Sequence, residues 1–120
     1  MKVSIIITNY NYSKYLGRCI RSCISQSLPK KDFEIIVVDD NSTDSSLKKL
    51  DEFKNNIKII SNKKNIGVAK SVNNAVKIAK GDYFVRIDAD DYISSYLLAF
   101  LYNGFLIFPE KFGIACDYYH

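Results

Sequence analysis

The sequence has few of the residues that build several common kinds of site. It holds one histidine, His120, and three cysteines, Cys19, Cys23 and Cys116. A cysteine–histidine zinc centre therefore lacks ligands. An odd cysteine count in a short chain does not describe a disulfide framework. Cys19 and Cys23, four apart on one face of an expected helix, read as buried free thiols of a reducing compartment. No Gly-x-Gly-x-x-Gly and no P-loop is present, which weighs against a dinucleotide or P-loop fold. Basic residues occur as the pairs Lys30-Lys31, Lys48-Lys49 and Lys63-Lys64, never as tracts, so the net charge of +4 reads as a solvated surface, and no nucleic-acid partner is expected. The apolar run near Met1 is too short for a signal peptide. The longest apolar stretch, residues 97–108, holds Asn103 and Gly104 and is too short to span a bilayer. A cytoplasmic location is expected, at most peripheral at the cytoplasmic membrane face.

What the chain does have is a globular composition: 48% apolar and 25% charged residues in 120, which excludes wholesale disorder. Length argues for one domain, 1–120. Area scaling gives roughly 6,600 Å² exposed when folded against roughly 19,900 Å² unfolded, enough burial for a core without staples. No repeat, linker or low-complexity segment divides it.

Residues 3–8 form a continuous β-branched run, as expected of a strand buried on both faces. Polar turn residues Asn9 to Asn11 follow, and Ser13 is placed to cap a helix with Leu16, Cys19, Ile20, Cys23 and Ile24 inward. The pattern recurs. Residues 34–38 read as a second strand. Ser42 or Thr43 then caps a helix with Leu47, Leu50 and Phe53 inward. Residues 57–60 read as a third strand. Residues 68–80 read as a helix with Ala69, Val72, Ala75, Val76 and Ala79 inward and Gly81 as its C′ residue. Residues 83–87 read as a fourth strand, followed by a helix near 94–105 and a short strand near Ile114. Alternating strands and helices predict an α/β fold with a mostly parallel sheet and flanking helices.

In such sheets ligands bind outside the carboxyl ends of the strands. Three polar clusters fall there: Thr8-Asn9-Tyr10-Asn11, Asp39-Asp40, and Asp88 with Asp90 and Asp91. Two unit charges about 5 Å apart repel by roughly 3 kcal/mol at an effective dielectric near 20. A divalent cation removes that cost, and hard oxygen ligands suit Mg²⁺ or Mn²⁺, which keep further positions for water and phosphate. A single Asp at a strand end is ordinarily a cap or turn residue, and Asp39 and Asp44 fit that role. Three acids in four positions at Asp88–Asp91 exceed what capping needs. Tyr10 either packs in the core or stacks on a base. Lys70 reads as a solvated helix charge, and Asn65, Gly67 and Asn73 as residues around the start of the third helix.

These pieces together resemble the family 2 glycosyltransferases with the Rossmann-like GT-A fold. Val3-Ser4-Ile5-Ile6-Ile7-Thr8-Asn9-Tyr10-Asn11 is similar to their opening strand, and Ser25-Gln26-Ser27 to a recurrent helix end. Val37-Val38-Asp39-Asp40-Asn41-Ser42-Thr43-Asp44 resembles their "VDDxSxD" segment. Asn65-Ile66-Gly67 with Asn73 and Gly81-Asp82-Tyr83 resembles "NxG…N…A.G(E/D)Y". Ile87-Asp88-Ala89-Asp90-Asp91 resembles "LDADD", which contains the DxD motif. The match runs in order from Val3 to about Tyr119.

The resemblance implies a nucleotide-sugar site made of Thr8, Tyr10, Asn11, Asp40, Lys70, Asp88, Ala89 and Asp90. Thr8 and Tyr10 border the base and ribose, Asp40 accepts a hydrogen bond from a uracil ring, and Lys70 approaches the base or phosphates. Asp88 lies near the ribose, and Asp90 and Asp91 hold Mn²⁺ or Mg²⁺ on the diphosphate. Asp39 supports its loop. The implied reaction is metal-dependent transfer of sugar from a nucleotide-diphosphate sugar, a UDP-sugar above all, with inversion, to a saccharide or lipid-linked acceptor, as in polysaccharide biosynthesis. No residue matches the family's general base, and the acceptor-binding half is not matched either. The chain is therefore expected to be the donor-binding half of a glycosyltransferase, truncated or completed by another polypeptide. The alternative is a nucleotide-sugar-binding or assembly module without transfer of its own. Residues 96–108 are apolar nearly all round as a helix, and the expectation for them is self-association, a partner chain or peripheral membrane contact.

Overall fold

The computed structural model describes residues 1–107 and 114–115, with side chains as far as Asn103. Cys116, Asp117, Tyr118, Tyr119 and His120 lie outside the described residues. Five strands, β1 (Val3–Asn9), β2 (Phe33–Asp39), β3 (Lys58–Ser61), β4 (Tyr83–Asp88) and β5 (Ile114–Ala115), form one sheet in the order β3-β2-β1-β4-β5, and every neighbouring pair is parallel. Four helices alternate with them: α1 (Ser13–Ile24), α2 (Ser46–Asp51), α3 (Val68–Ile78) and α4 (Leu97–Ile107). This is the expected α/β sheet.

The two faces of the sheet follow from the period-two alternation of strand side chains. Val3, Ile5 and Ile7 of β1, with Ile35, Val37, Val85 and Ile87, turn to one face. There they meet Leu16, Cys19, Ile20 and Cys23 of α1, Leu50 of α2, and Leu97, Leu98 and Leu101 of α4. Ile6, Ile36 and Val38 turn to the other face and meet Ala75 and Val72 of α3. Both faces of β1 and β2 are covered, which is why all seven residues of each are buried and the sequence there shows no alternation. The chain steps outward from β1 to β3, then crosses back to place β4 on the other side of β1. The order of the strands therefore reverses between β1 and β4, where a doubly wound sheet opens a crevice at its carboxyl edge.

Several local expectations are corrected. Ser13 is the first residue of α1 and Tyr12 its N-cap, without a side-chain cap hydrogen bond. The Ser13 N–H is instead satisfied by Asp44 Oδ2 from the next loop (3.0 Å). α2 starts at Ser46, later than a cap at Ser42 or Thr43 requires, because both of those residues bind the preceding loops. Leu47 and Val76 are exposed rather than inward, as is Ala69. α3 ends at Ile78, and Ala79 is already extended (ψ 135°), so Gly81 is not its C′ residue. Gly81 is required for close approach: a Cβ there would lie 2.5 Å from the Ser4 backbone nitrogen, while its N–H donates to Ser4 Oγ (2.9 Å). α4 starts at Leu97 rather than Ser94, and Gln26 sets that start. Its Oε1 accepts from Leu98 N–H (3.0 Å), and its Nε2 donates to Ser22 and Ser94 carbonyls. As expected, an apolar surface remains there: Phe100 of α4 and Tyr96 just before it are 71% and 70% exposed beside buried Leu97, Leu98 and Leu101. Cys19 and Cys23 are buried free thiols as expected. No helix among the described residues is long and apolar enough to cross a membrane.

Candidate functional site

The carboxyl edge of the sheet is organised by Asp39, the last residue of β2. It is fully buried. Its Oδ1 accepts from the Asn9 amide (2.8 Å) and from Ser42 Oγ–H (2.7 Å), and its Oδ2 accepts from Ser42 N–H (3.0 Å). Asn9 and Asp39 are register partners, so the carboxylate ties the ends of the two central strands to the loop that follows. Asn11 completes the tie. It takes a left-handed backbone (φ 59°), which asparagine tolerates better than most residues. Its Oδ1 accepts from the N–H groups of Thr43 (2.7 Å) and Asp44 (3.2 Å). Asn11 therefore shapes the site through the β2–α2 loop. Asp44 in turn receives the N–H groups of Ser13 and Ser46. Burial opposes its charge, but these hydrogen bonds outweigh burial and hold its carboxyl below the usual range.

Asp40 faces the other way, toward the start of α3. Its Oδ1 accepts from Ile66 N–H (2.8 Å) and the Asn62 amide (3.0 Å), and its Oδ2 from Gly67 N–H (2.9 Å). Gly67 adopts φ 90°, a conformation that L side chains rarely take, and this turn aims successive N–H groups at one carboxylate. Burial again opposes the charge, and the three donors overcome it, so Asp40 titrates below its ordinary value of 3.8. It is held as a hydrogen-bond acceptor at neutral pH.

The third element is the end of β4. Thr8 and Asp88 are register partners across β1 and β4. Asp88 Oδ1 accepts from Arg86 Nη2 (2.7 Å) and more weakly from Thr8 Oγ–H (3.4 Å). Beyond Asp88 the chain turns. Ala89 N–H donates to the Thr8 carbonyl (3.1 Å), and the Ala89 side chain is buried in the core. Asp88, Asp90 and Asp91 each present a carboxylate oxygen, all three within 4.8 Å of one another. That spacing and all-oxygen chemistry fit a hard divalent cation. Arg18 of α1 steadies this turn: its guanidinium lies 4.2 Å from the Tyr92 ring centroid and 5.8 Å from that of Tyr15, and it reaches the Asp90 carbonyl at 3.5 Å. The Cys19 thiol points to the Asp88 carbonyl (3.7 Å). Its hydrogen bond with Cys23 and its burial push its pKa far up, so it is an inert core thiol.

These elements enclose an open cleft of about 290 Å³ lined by Thr8, Asn9, Tyr10, Tyr12, Asp40, Val68, Ser71, Arg86, Asp88 and Asp90. Of the residues expected at the site, Thr8, Tyr10, Asp40, Asp88 and Asp90 come together on its wall. Asp91 adjoins it through the acidic triad. Lys70 lies on the exposed surface of α3, and Ala89 contributes backbone only. Sequence reasoning passed over Tyr12, Ser71 and Arg86. A positive charge inside a strand that otherwise reads as apolar, at Arg86, is the signal that could have found the last. A smaller depression of about 80 Å³ beside Lys30, Phe33 and Glu34 lies at the opposite edge of the sheet.

With this geometry in view, residues 4–106 match the sequence profile described as Glycosyl transferase family 2. A poly(ribitol-phosphate) beta-glucosyltransferase of Bacillus spizizenii is 45% identical over 107 residues, covering 86% of this chain and 17% of that protein. Chondroitin synthase of Escherichia coli is 34% identical over 97% of this chain and 16% of its own length. Among solved structures, TarS residues 1–349 of S. aureus in complex with UDP-GlcNAc superimposes with a TM-score of 0.83 at 35% identity, over 89% of this chain and 32% of that one. A mannosyltransferase of Pyrobaculum calidifontis, solved with GDP-Man and Mn²⁺, shares the fold at a TM-score of 0.78 and 24% identity. The chain thus spans about a sixth of the length of the curated relatives named here.

Proposed function

Because the chain belongs to glycosyl transferase family 2 and has the GT-A fold, we propose that its cleft is the donor site of a sugar transfer from a nucleotide-diphosphate sugar. The observation that carries this reading is the acidic triad Asp88, Asp90 and Asp91 at the mouth of a cleft that Tyr10 and Asp40 also line. Tyr10, 46% exposed, offers a ring for a base to stack on. Asp40, kept ionised by three donors, can accept the N3–H of a uracil ring but has no proton to give an acceptor atom, which favours UDP. Thr8 and Asp88 border the ribose. Asn11 and Ala89 act through the loops they hold, and Lys70, exposed on α3, is assigned to approach the base or phosphates. Asp90 and Asp91 would hold Mn²⁺ or Mg²⁺, which when bound neutralises charge on the departing nucleoside diphosphate.

The proposed reaction inverts the anomeric carbon. None of these residues is assigned as the general base. Residues 1–120 are proposed as a single GT-A unit supplying the donor half, with the base and acceptor contacts coming from further polypeptide. The relatives' names support a saccharide or polyol-phosphate acceptor in polysaccharide synthesis, and a saccharide or lipid-linked acceptor fits this donor chemistry. The exposed Tyr96 and Phe100 support association through the start of α4 and the residue before it, with itself, a partner chain or a membrane surface.

The test is UDP binding by the Asp90→Ala/Asp91→Ala double variant. Wild-type chain should bind UDP at least tenfold more tightly with Mn²⁺ than with chelator, and the double variant should lose that difference. A double variant that keeps the full metal effect would sink the assignment.

A further inference from the structure

Arg86 is a basic residue in the interior of a parallel strand, flanked by Ile6 of β1 and Ala115 of β5. Among the described residues that line the cleft it is the only cation, set against Asp40, Asp88 and Asp90. Its Nη2 lies 2.7 Å from Asp88 Oδ1, its Nε is buried without a hydrogen-bond partner, and its side chain is 35% exposed. Fold stability gives little reason for this arrangement. Exposed or half-exposed ion pairs contribute little, and because the Asp88 side chain is itself 43% exposed, loss of the arginine would leave no fully buried charge unpaired. A guanidinium carries five donors in a planar fork that matches phosphate oxygens, and one hydrogen bond to Asp88 leaves most of that fork available to the cleft.

Resting on the donor-site reading above, we propose that Arg86 is a donor-binding residue with two linked roles. It neutralises Asp88, which keeps that carboxylate out of the metal's ligand set and leaves Asp90 and Asp91 as the ligands. It also presents its remaining N–H donors to the diphosphate of the nucleotide. Arg86 thereby sets the role of Asp88 from two residues away along the same strand.

The two roles move two measurements in opposite directions. In Arg86→Met, Asp88 is released to the cation, so binding of Mn²⁺ alone, followed by electron paramagnetic resonance, should tighten at least threefold. UDP binding at saturating Mn²⁺, followed by calorimetry, should weaken about tenfold, the effect of one charge-assisted hydrogen bond. Arg86→Lys, which keeps the charge and loses the fork, should fall between. Melting temperatures of both variants should stay near wild type, which separates this role from a structural one. Unchanged UDP affinity in a folded Arg86→Met, or Mn²⁺ binding that is no tighter, overturns the proposal. Should Arg86→Met not fold, Arg86→Lys decides by the same two readings. If wild-type chain binds no UDP at all, the donor-site reading fails on its own, and with it the role toward the diphosphate, while the Mn²⁺ measurement still judges the pairing with Asp88.

Discussion

Two adjacent aspartates show how far single residues can be read. Asp39 and Asp40 are chemically alike and both sit at the end of β2, yet one closes a loop and the other faces the cleft. Strand alternation separates them: Asp39 points to Asn9 and Ser42, and Asp40 to the N–H groups of Ile66 and Gly67. A structural part for Asp39 was legible from its turn-forming company, whereas the donors that Asp40 receives come from 22, 26 and 27 residues away and could not be seen locally. Arg86 stood out only as a charge inside an otherwise apolar strand, and that it faces the cleft depends on the register that sets Asp88 against Thr8. At the opposite end of the sheet, buried Glu34 accepts from Ser4 Oγ–H and Lys58 Nζ (2.6 and 2.8 Å) and from the Lys80 N–H. Burial opposes its charge, but these partners prevail and lower its pKa from the ordinary 4.5. A carboxyl that is more acidic folded than unfolded contributes stability above the unfolded value and loses it as pH falls through the native one. The urea midpoint should therefore fall progressively below about pH 4.5. Glu34→Gln should lower the midpoint at pH 7 and make that acid slope shallower. An equally steep slope in the variant would remove Glu34 from the account.

At the scale of elements, apolar runs and helical spacing located β1–β5 and α1–α4 among the described residues, and the errors lie in their ends and in Leu47, Ala69 and Val76, which are exposed rather than inward. The residues expected to cap α1 and α2 were spent instead on tying loops together, since Ser42 and Thr43 answer to Asn9, Asn11 and Asp39. α3 ends short because the chain must descend to the Ser4–Glu34 network before entering β4. Gly81 marks that descent, and its role is spatial rather than conformational. Gly81→Ala puts a Cβ against the backbone of β1, 2.5 Å from Ser4 N, where no side chain can yield. The expected cost is about 1–3 kcal/mol, or a fall of roughly 4–15 °C in melting temperature. An unchanged melting curve would mean that the β4 approach is looser than this contact requires. Gln26 shows the converse case, a motif residue whose purpose appears only in three dimensions. It closes the C-terminal end of α1 onto the start of α4, and so helps fix the turn carrying Asp90 and Asp91.

For the molecule as a whole, the sheet order explains why residues from positions 8, 40 and 88 meet. β1 lies between β2 and β4, all three run parallel, and their carboxyl ends open at the place where the strand order reverses. That convergence was legible from the alternation of strands and helices alone. The cleft wall contributed by α3, and the place of Arg86 of β4 in the cleft, needed the structure. A donor site without an assigned general base should bind but scarcely turn over, since a missing base costs about 10²–10⁴-fold in rate. The 120-residue chain should accordingly show little sugar transfer, and robust turnover by it alone would place the base among its own acids. The central claim, that the edge between β1 and β4 is a cation-dependent nucleotide-diphosphate site, is tested most directly by calorimetric titration of UDP into the wild-type chain with Mn²⁺ and again with chelator. Saturable one-to-one binding with Mn²⁺, weakened at least tenfold by chelator, is the predicted result; equal affinity in the two titrations, or no binding in either, would contradict it.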